Sequence, residues 1–243
     1  MPVKDRLIVA LDVKNRKEAR SLVRELSGLV GMFKIGHQLF TAEGPEIVRI
    51  IAGMGEKIFL DLKYHDIPSV IAGAAVAALE LGVSMLTLHA LGGAKMMSYT
   101  SKAVRETAEA LQVGKPLLIG VTILTSMDQE SLKQCGIERD LPSMVYELAC
   151  LATASGLDGI VASPKEVSWL RSRGMNDLLM VTPGIRPEWA EAEDQQRIMT
   201  PYEALRQGAD YLVVGRPITR AKDPTAAADK VLMEMESFYT SHK

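Results

Sequence analysis

Short β-rich runs recur about every 25–30 residues along this chain, with longer stretches of helical period between them, and that rhythm leaves few folds open. The runs are LIVALDV (7–13), MFKIG (32–36), KIFLDLK (57–63), SMLTLHA (84–90), PLLIGVTIL (116–124), GIVASP (159–164), LLMVTPGI (178–185) and YLVVGRP (211–217). Segments such as RKEARSLVRELSG (16–28), VIAGAAVAALELG (70–82), MMSYTSKAVRETAEALQ (96–112) and SMVYELACLATASG (143–156) lie between them. Glycines 28, 82, 156, 174 and 208 stand just before the next run, where a helix needs a left-handed cap. Eight such units predict an α/β chain of the (β/α)8 TIM-barrel class. A doubly wound open sheet is the rival, but it places a Gly-rich phosphate turn after its first strand. Here that strand runs into DVKNRKEA instead.

The 243 residues contain no low-complexity tract, linker or charge block, so a single barrel domain over 1–243 is expected. A chain of that length can bury a large core without disulfides or metals. A net charge of −2 gives no general affinity for nucleic acid or a membrane surface. Any anionic ligand must therefore meet locally placed Lys or Arg. Two cysteines, Cys135 and Cys150, and the absence of a signal-peptide pattern or a long apolar span point to a reducing, cytoplasmic setting.

The third run is the anomaly. FLDLKYHDIPSV begins as a buried strand and then sets down Asp61, Lys63, His65 and Asp66 within six positions. An unpaired buried charge costs several kcal/mol or more, so these groups need partners. In a strand, positions i and i+2 share a face. Asp61 and Lys63 then point into the barrel mouth, while Leu60 and Leu62 pack outward on helices. Lys34 lies in the second run and Asp12 ends the first. Lys34, Asp61 and Lys63, with Asp66 as a fourth candidate, form an array of alternating sign in which each charge has an opposite neighbour. A structural salt bridge explains one Asp–Lys pair, but four converging strand-end charges point to function. Pro68 directs the chain into the following helix at its first turn.

The opposite rim carries VTPGIR (181–186) and VVGRPIT (213–219). Gly184 and Gly215 allow close backbone approach, and Arg186 and Arg216 supply cationic forks that match phosphate oxygens. The loops after strands seven and eight are the recurrent phosphate site of such barrels. Two connections, 125–141 and 186–200, are long enough to read as binding loops or lids.

DLKYHDIP resembles the D-x-K-x-x-D-I-P signature of the orotidine 5′-phosphate decarboxylase family, and LDV, FKIG, TILTSM, TPGIR and VGRPIT extend the resemblance along the chain. The D-x-K-x-x-D core also occurs in the 3-keto-L-gulonate 6-phosphate decarboxylases and hexulose-phosphate synthases. Those relatives are metal-dependent and carry a carboxylate ligand where this chain has Lys34. Lys34 and Ile67-Pro68 favour the orotidylate group. The resemblance implies conversion of orotidine 5′-monophosphate (OMP) to UMP and CO₂, the last step of de novo UMP synthesis, with no metal and no cofactor. It also implies a homodimer. Lys63 would protonate C6, Asp61 would sit beside the departing carboxylate, and Lys34 would hold Asp61 and a ribose hydroxyl. Asp66 would come from the second subunit, and Asp12 would bind ribose. The whole stretch Asp61 to Val70, including Leu62, Tyr64, His65, Ile67, Pro68 and Ser69, would lie along the substrate. Thr125 would lie near the base and Gln195 would bridge base and phosphate. Arg186, Gly215 and Arg216 would hold the phosphate. One departure stands out: Ser69-Val70 replaces a polar pair such as Asn-Thr, so Val70 can offer only backbone or apolar contact.

Other groups read as structural. His65 should face away from Lys63 if strand geometry persists, His89 ends the fourth run without metal-spaced companions, and His37 reads as a loop residue. The methionines read as core filler. The Ala-rich segment 70–82 reads as a helix packed tightly on the barrel or at a dimer contact. A barrel that binds nucleotide without chemistry would ordinarily show a broken array, whereas all four charged positions are present. A sugar-phosphate isomerase would need a differently placed base or metal set.

Overall fold

In the computed structural model, which describes residues 1–190 and 199–241, the eight runs close in sequence order into one parallel barrel, with the first strand hydrogen-bonded to the eighth. The strands are β1 (Leu7–Ala10), β2 (Met32–Gly36), β3 (Ile58–Tyr64), β4 (Met85–His89), β5 (Leu117–Val121), β6 (Gly159–Val161), β7 (Leu179–Thr182) and β8 (Tyr211–Val214). Several stop short of the apolar runs that announce them. β1 ends at Ala10 rather than 13, so Asp12 stands just past the strand instead of ending it. β5, β6, β7 and β8 likewise end three residues early, before positions 124, 164, 185 and 217. The residues past β7 and β8, and Ile123 and Leu124 past β5, line the mouth, and Pro183 and Pro217 have no N–H to give a neighbouring strand. Past β6 the Ala162 amide still bonds the Val181 carbonyl at 3.1 Å.

Strand alternation splits the apolar residues in two. Ile8, Ala10, Met32, Phe59, Met85 and Ile119 belong to a set drawn only from strand residues, which fills the barrel. The alternating residues Leu7, Val9, Phe33, Ile35, Ile58 and Leu60 join the helices' buried faces in a second set. Gly159 permits the β6–β7 contact, since a Cβ there would lie 2.6 Å from the Leu179 carbonyl oxygen.

The helices are α1 (Arg16–Leu26), α2 (His37–Glu43), α3 (Glu46–Ala52), α4 (Pro68–Glu80), α5 (Gly93–Leu111), α6 (Gln129–Gln134), α7 (Leu141–Ala154), α8 (Pro164–Ser172), α9 (Pro201–Arg206), α10 (Arg216–Thr219) and α11 (Pro224–Thr240). Their starts are written locally. Asn15 and Asp223 accept from the first-turn amides of α1 and α11, satisfying donors that a helix leaves orphaned. Thr200 and Glu203 exchange bonds as a capping box at α9. Glycines 28, 82, 156, 174 and 208 all have positive φ, as their positions before the strands require. Two expectations fail here. His37 is not in a loop but opens α2. Residues 125–141 are not one open connection, because Asp128 accepts from the Ser131 amide at 2.9 Å and starts α6 inside it.

At the amino-terminal end of the barrel, Asp210 accepts from the Arg171 guanidinium at 2.7 Å and from the Met180 amide at 2.8 Å. That ion pair ties α8 to the start of β8 at the bottom of the barrel. Among the described residues no helix is long and apolar enough to cross a membrane.

Candidate active site

Lys34 projects from β2, whose register sets it beside Phe59 of β3, two residue pairs below the Gly36–Asp61 pairing. Lys63 Nζ lies 2.8 Å from Asp61 Oδ1, and Lys34 Nζ lies 3.5 Å from Asp61 Oδ2. The same Lys34 ammonium is 3.4 Å from Asp12 Oδ1. One chain therefore assembles Asp12–Lys34–Asp61–Lys63 with strictly alternating sign. Asp61 and Lys34 are the most enclosed, each side chain 12% exposed, while Asp12 is 51% exposed. Burial pushes the Asp61 carboxyl up, but the Lys34 and Lys63 charges and hydrogen bonds from Lys63 and Thr87 outweigh it and hold the group below the ordinary carboxylate range. It stays an anion, as the pairing requires.

β3 does not keep regular strand geometry to its end. Leu60 pairs with Leu86 and Tyr64 with Leu88, so Asp61, Leu62 and Lys63 together face the single residue Thr87. The surplus is taken up at Lys63, whose φ is +47°, a left-handed conformation that costs a non-glycine residue about 1–2 kcal/mol. Thr87 is fully buried, and its Oγ1 accepts the Lys63 backbone N–H at 2.8 Å and donates to Asp61 Oδ1 at 3.1 Å. Nothing in SMLTLHA marks that threonine, because β-branched residues are ordinary in strands.

Two cavities meet at this array. One of about 390 Å³ runs from Asp12 and Lys34 to Gly184, Arg186, Gly215 and Arg216. The other, about 150 Å³, is walled by Phe59, Val121, Ile123, Val161 and Val181, with Thr125 at its edge. Lys34, Asp61, Pro183 and Val213 line both. The result is an apolar slot opening through a charged waist into an arginine-rimmed chamber. Gln38 and Arg220 also line the chamber, and neither stands out in sequence.

Other expected residues are not brought to the cavities. Leu62 and Tyr64 pack against the helix-side core, as alternation dictates. Beyond Tyr64 the chain turns away into α4, so Pro68 serves as its first residue and Ser69 is exposed. Ile67 and Val70 are 62% and 49% exposed. His65 stacks on His89, ring centroids 5.3 Å apart. Asp66 accepts its neighbour Ile67's N–H at 2.6 Å and has no ion pair among the described residues. Gln195 lies outside the described residues.

Fold and site together define a (β/α)8 barrel with an ionic centre at the carboxyl-terminal mouth and a cationic chamber after strands seven and eight. The chain belongs to the Orotidine 5′-phosphate decarboxylase / HUMPS family, whose model matches residues 5–231. It is 53% identical over 230 residues to the orotidine 5′-phosphate decarboxylase of Syntrophotalea carbinolica, covering 95% of this chain and 94% of that one. The enzyme of the same name from Moorella thermoacetica is 50% identical over 237 residues, covering 97% of this chain and 94% of that one. A crystal structure of orotidine 5′-phosphate decarboxylase from Lactobacillus acidophilus superposes with a TM-score of 0.84 at 36% identity, covering 94% of this chain and 98% of that one.

Proposed function

We propose that this protein is an orotidine 5′-phosphate decarboxylase, a carboxy-lyase that converts OMP to UMP and CO₂ without metal or cofactor, as the closing step of UMP synthesis. The observation that carries this reading is the Asp61 carboxylate held between two ammonium groups at the junction of an apolar slot and an arginine-rimmed chamber. A pyrimidine suits the slot, a ribose the charged waist and a phosphate the chamber. In this reading the bond from C6 to the carboxylate breaks and its electron pair stays on C6. The Lys63 ammonium stabilises that charge and then gives up a proton to it. Lys63 recovers its proton from water after product leaves. Asp61 pairs with Lys63 and keeps it aimed, and Lys34 offsets the negative charge that Asp61 brings near the substrate carboxylate. Arg186, Gly215 and Arg216 hold the phosphate, so that remote binding energy fixes the reacting geometry. Thr125 and Gln195 complete the contacts to base and phosphate.

The working unit in this proposal is a homodimer of single-domain barrels (1–243), located in the cytoplasm. Asp66 reaches the neighbouring site from the short turn between β3 and α4, next to the exposed apolar residues Ile67 and Val70. Leu91 and Tyr99, on the next crossover, add exposed apolar surface of the kind an interface covers. The segment Asp61 to Val70 then follows the substrate of one site or the other, with Leu62 and Tyr64 contributing backbone only. A metal-dependent sugar-phosphate reaction fits less well, because the Lys34 ammonium occupies the position at which those relatives carry a metal-binding carboxylate. Purified protein should bleach OMP absorbance after exhaustive chelation. A requirement for Mg²⁺ would favour the other branch of the family.

A further inference from the structure

The strained end of β3 is supported by a residue to which the chemistry above assigns no role. We propose that Thr87 is a positioning residue for the decarboxylation: through one hydroxyl it fixes both the left-handed backbone of Lys63 and the Oδ1 oxygen of Asp61, so that ammonium and carboxylate are held as one unit. This rests on the functional reading above and deepens it.

Three residues of β3 must fit opposite one residue of β4. A bulge of this kind leaves at least one amide off the ladder, and that amide is Lys63's, which donates to Thr87 Oγ1 at 2.8 Å. A hydroxyl that accepts there still has its own hydrogen to give. It goes to Asp61 Oδ1 at 3.1 Å, the same oxygen that takes the Lys63 ammonium at 2.8 Å. Backbone of one catalytic residue, carboxylate of the other and the ammonium between them are thus closed into a ring through a fully buried side chain. A residue with an apolar branch of the same size would fill the space, yet satisfy neither partner. Serine keeps the hydroxyl.

Thr87→Val and Thr87→Ser separate these roles. The valine variant should lower kcat by about tenfold to a hundredfold, because small displacements of reacting groups are costly, while UMP affinity changes less than about threefold. In the valine variant the Asp61 carboxyl, followed by ¹³C NMR and assigned with Asp61→Asn, should titrate higher than in the wild type, having lost a donor. Serine should restore kcat to within about threefold. If valine does not fold, Thr87→Ala serves against serine in the same measurements. A valine variant with at least about half the wild-type kcat and an unmoved Asp61 titration overturns the proposal. So does a serine variant as impaired as valine, which would assign the effect to packing. A wild-type protein inert toward OMP overturns the functional reading instead, and the substrate-free titration then decides the Thr87 role by itself.

Discussion

The Lys63 ammonium sits 2.8 Å from Asp61 Oδ1 although the two residues meet across a bulge rather than along a regular strand. The spacing i, i+2 in an extended strand would already put both side chains on one face. The bulge and the left-handed Lys63 backbone re-aim the lysine, and the second lysine, Lys34, neutralises the outer oxygen of the same carboxylate.

The phosphate chamber should act at a distance from the bond that breaks. Arg216→Ala is expected to lower kcat/KM for OMP by about a hundredfold or more, since a charge-assisted fork is lost. The same substitution should leave turnover of orotidine, which lacks phosphate, nearly unchanged. Steady-state kinetics with both substrates check this; an equal loss on both would place Arg216 elsewhere in the mechanism.

Asp66 makes no ion pair within its own chain among the described residues, so its part in the chemistry is tested between chains. Lys63→Ala and Asp66→Asn proteins should each be nearly inactive. Unfolded together and refolded at equal amounts, they should regain about a quarter of wild-type activity, because half of randomly formed dimers carry one site with both residues intact. No recovery in the mixture would assign Asp66 to its own subunit's site or to structure.

The depressed carboxyl of Asp61 links the array to stability. A group whose folded value lies below its unfolded one binds more protons when unfolded, so its contribution is complete above the ordinary value of 3.8 and is lost as pH falls through the folded value. The difference in unfolding free energy between wild type and Asp61→Asn should therefore be flat from about pH 7 to 5 and shrink in stronger acid. Denaturant titrations across that range measure it. A difference that instead changes near neutrality would assign the dependence to another group.

Much of this is legible in the amino-acid sequence. Strand and helix order, the capping glycines and the convergence of Lys34, Asp61 and Lys63 follow from periodicity and from the cost of burying charge. What was hidden has a common cause. Thr87 is an ordinary strand residue until three residues must pack against it, and Gln38 and Arg220 are ordinary helix-end residues until the barrel closes around a chamber. Within one chain, DLKYHDIPSV does not line the cavities continuously. Alternation turns Leu62 and Tyr64 into the helix layer, and Pro68 carries the chain away from the mouth.

Lys63 as the proton donor to C6 is tested most directly by single-site chemistry in heavy water. Chelated protein incubated with OMP in D₂O is expected to yield UMP bearing one deuterium at C6, and Lys63→Ala to slow that product by about a thousandfold or more. Labelled UMP formed by Lys63→Ala at close to the wild-type rate, or formed only when a divalent metal is restored, would contradict it.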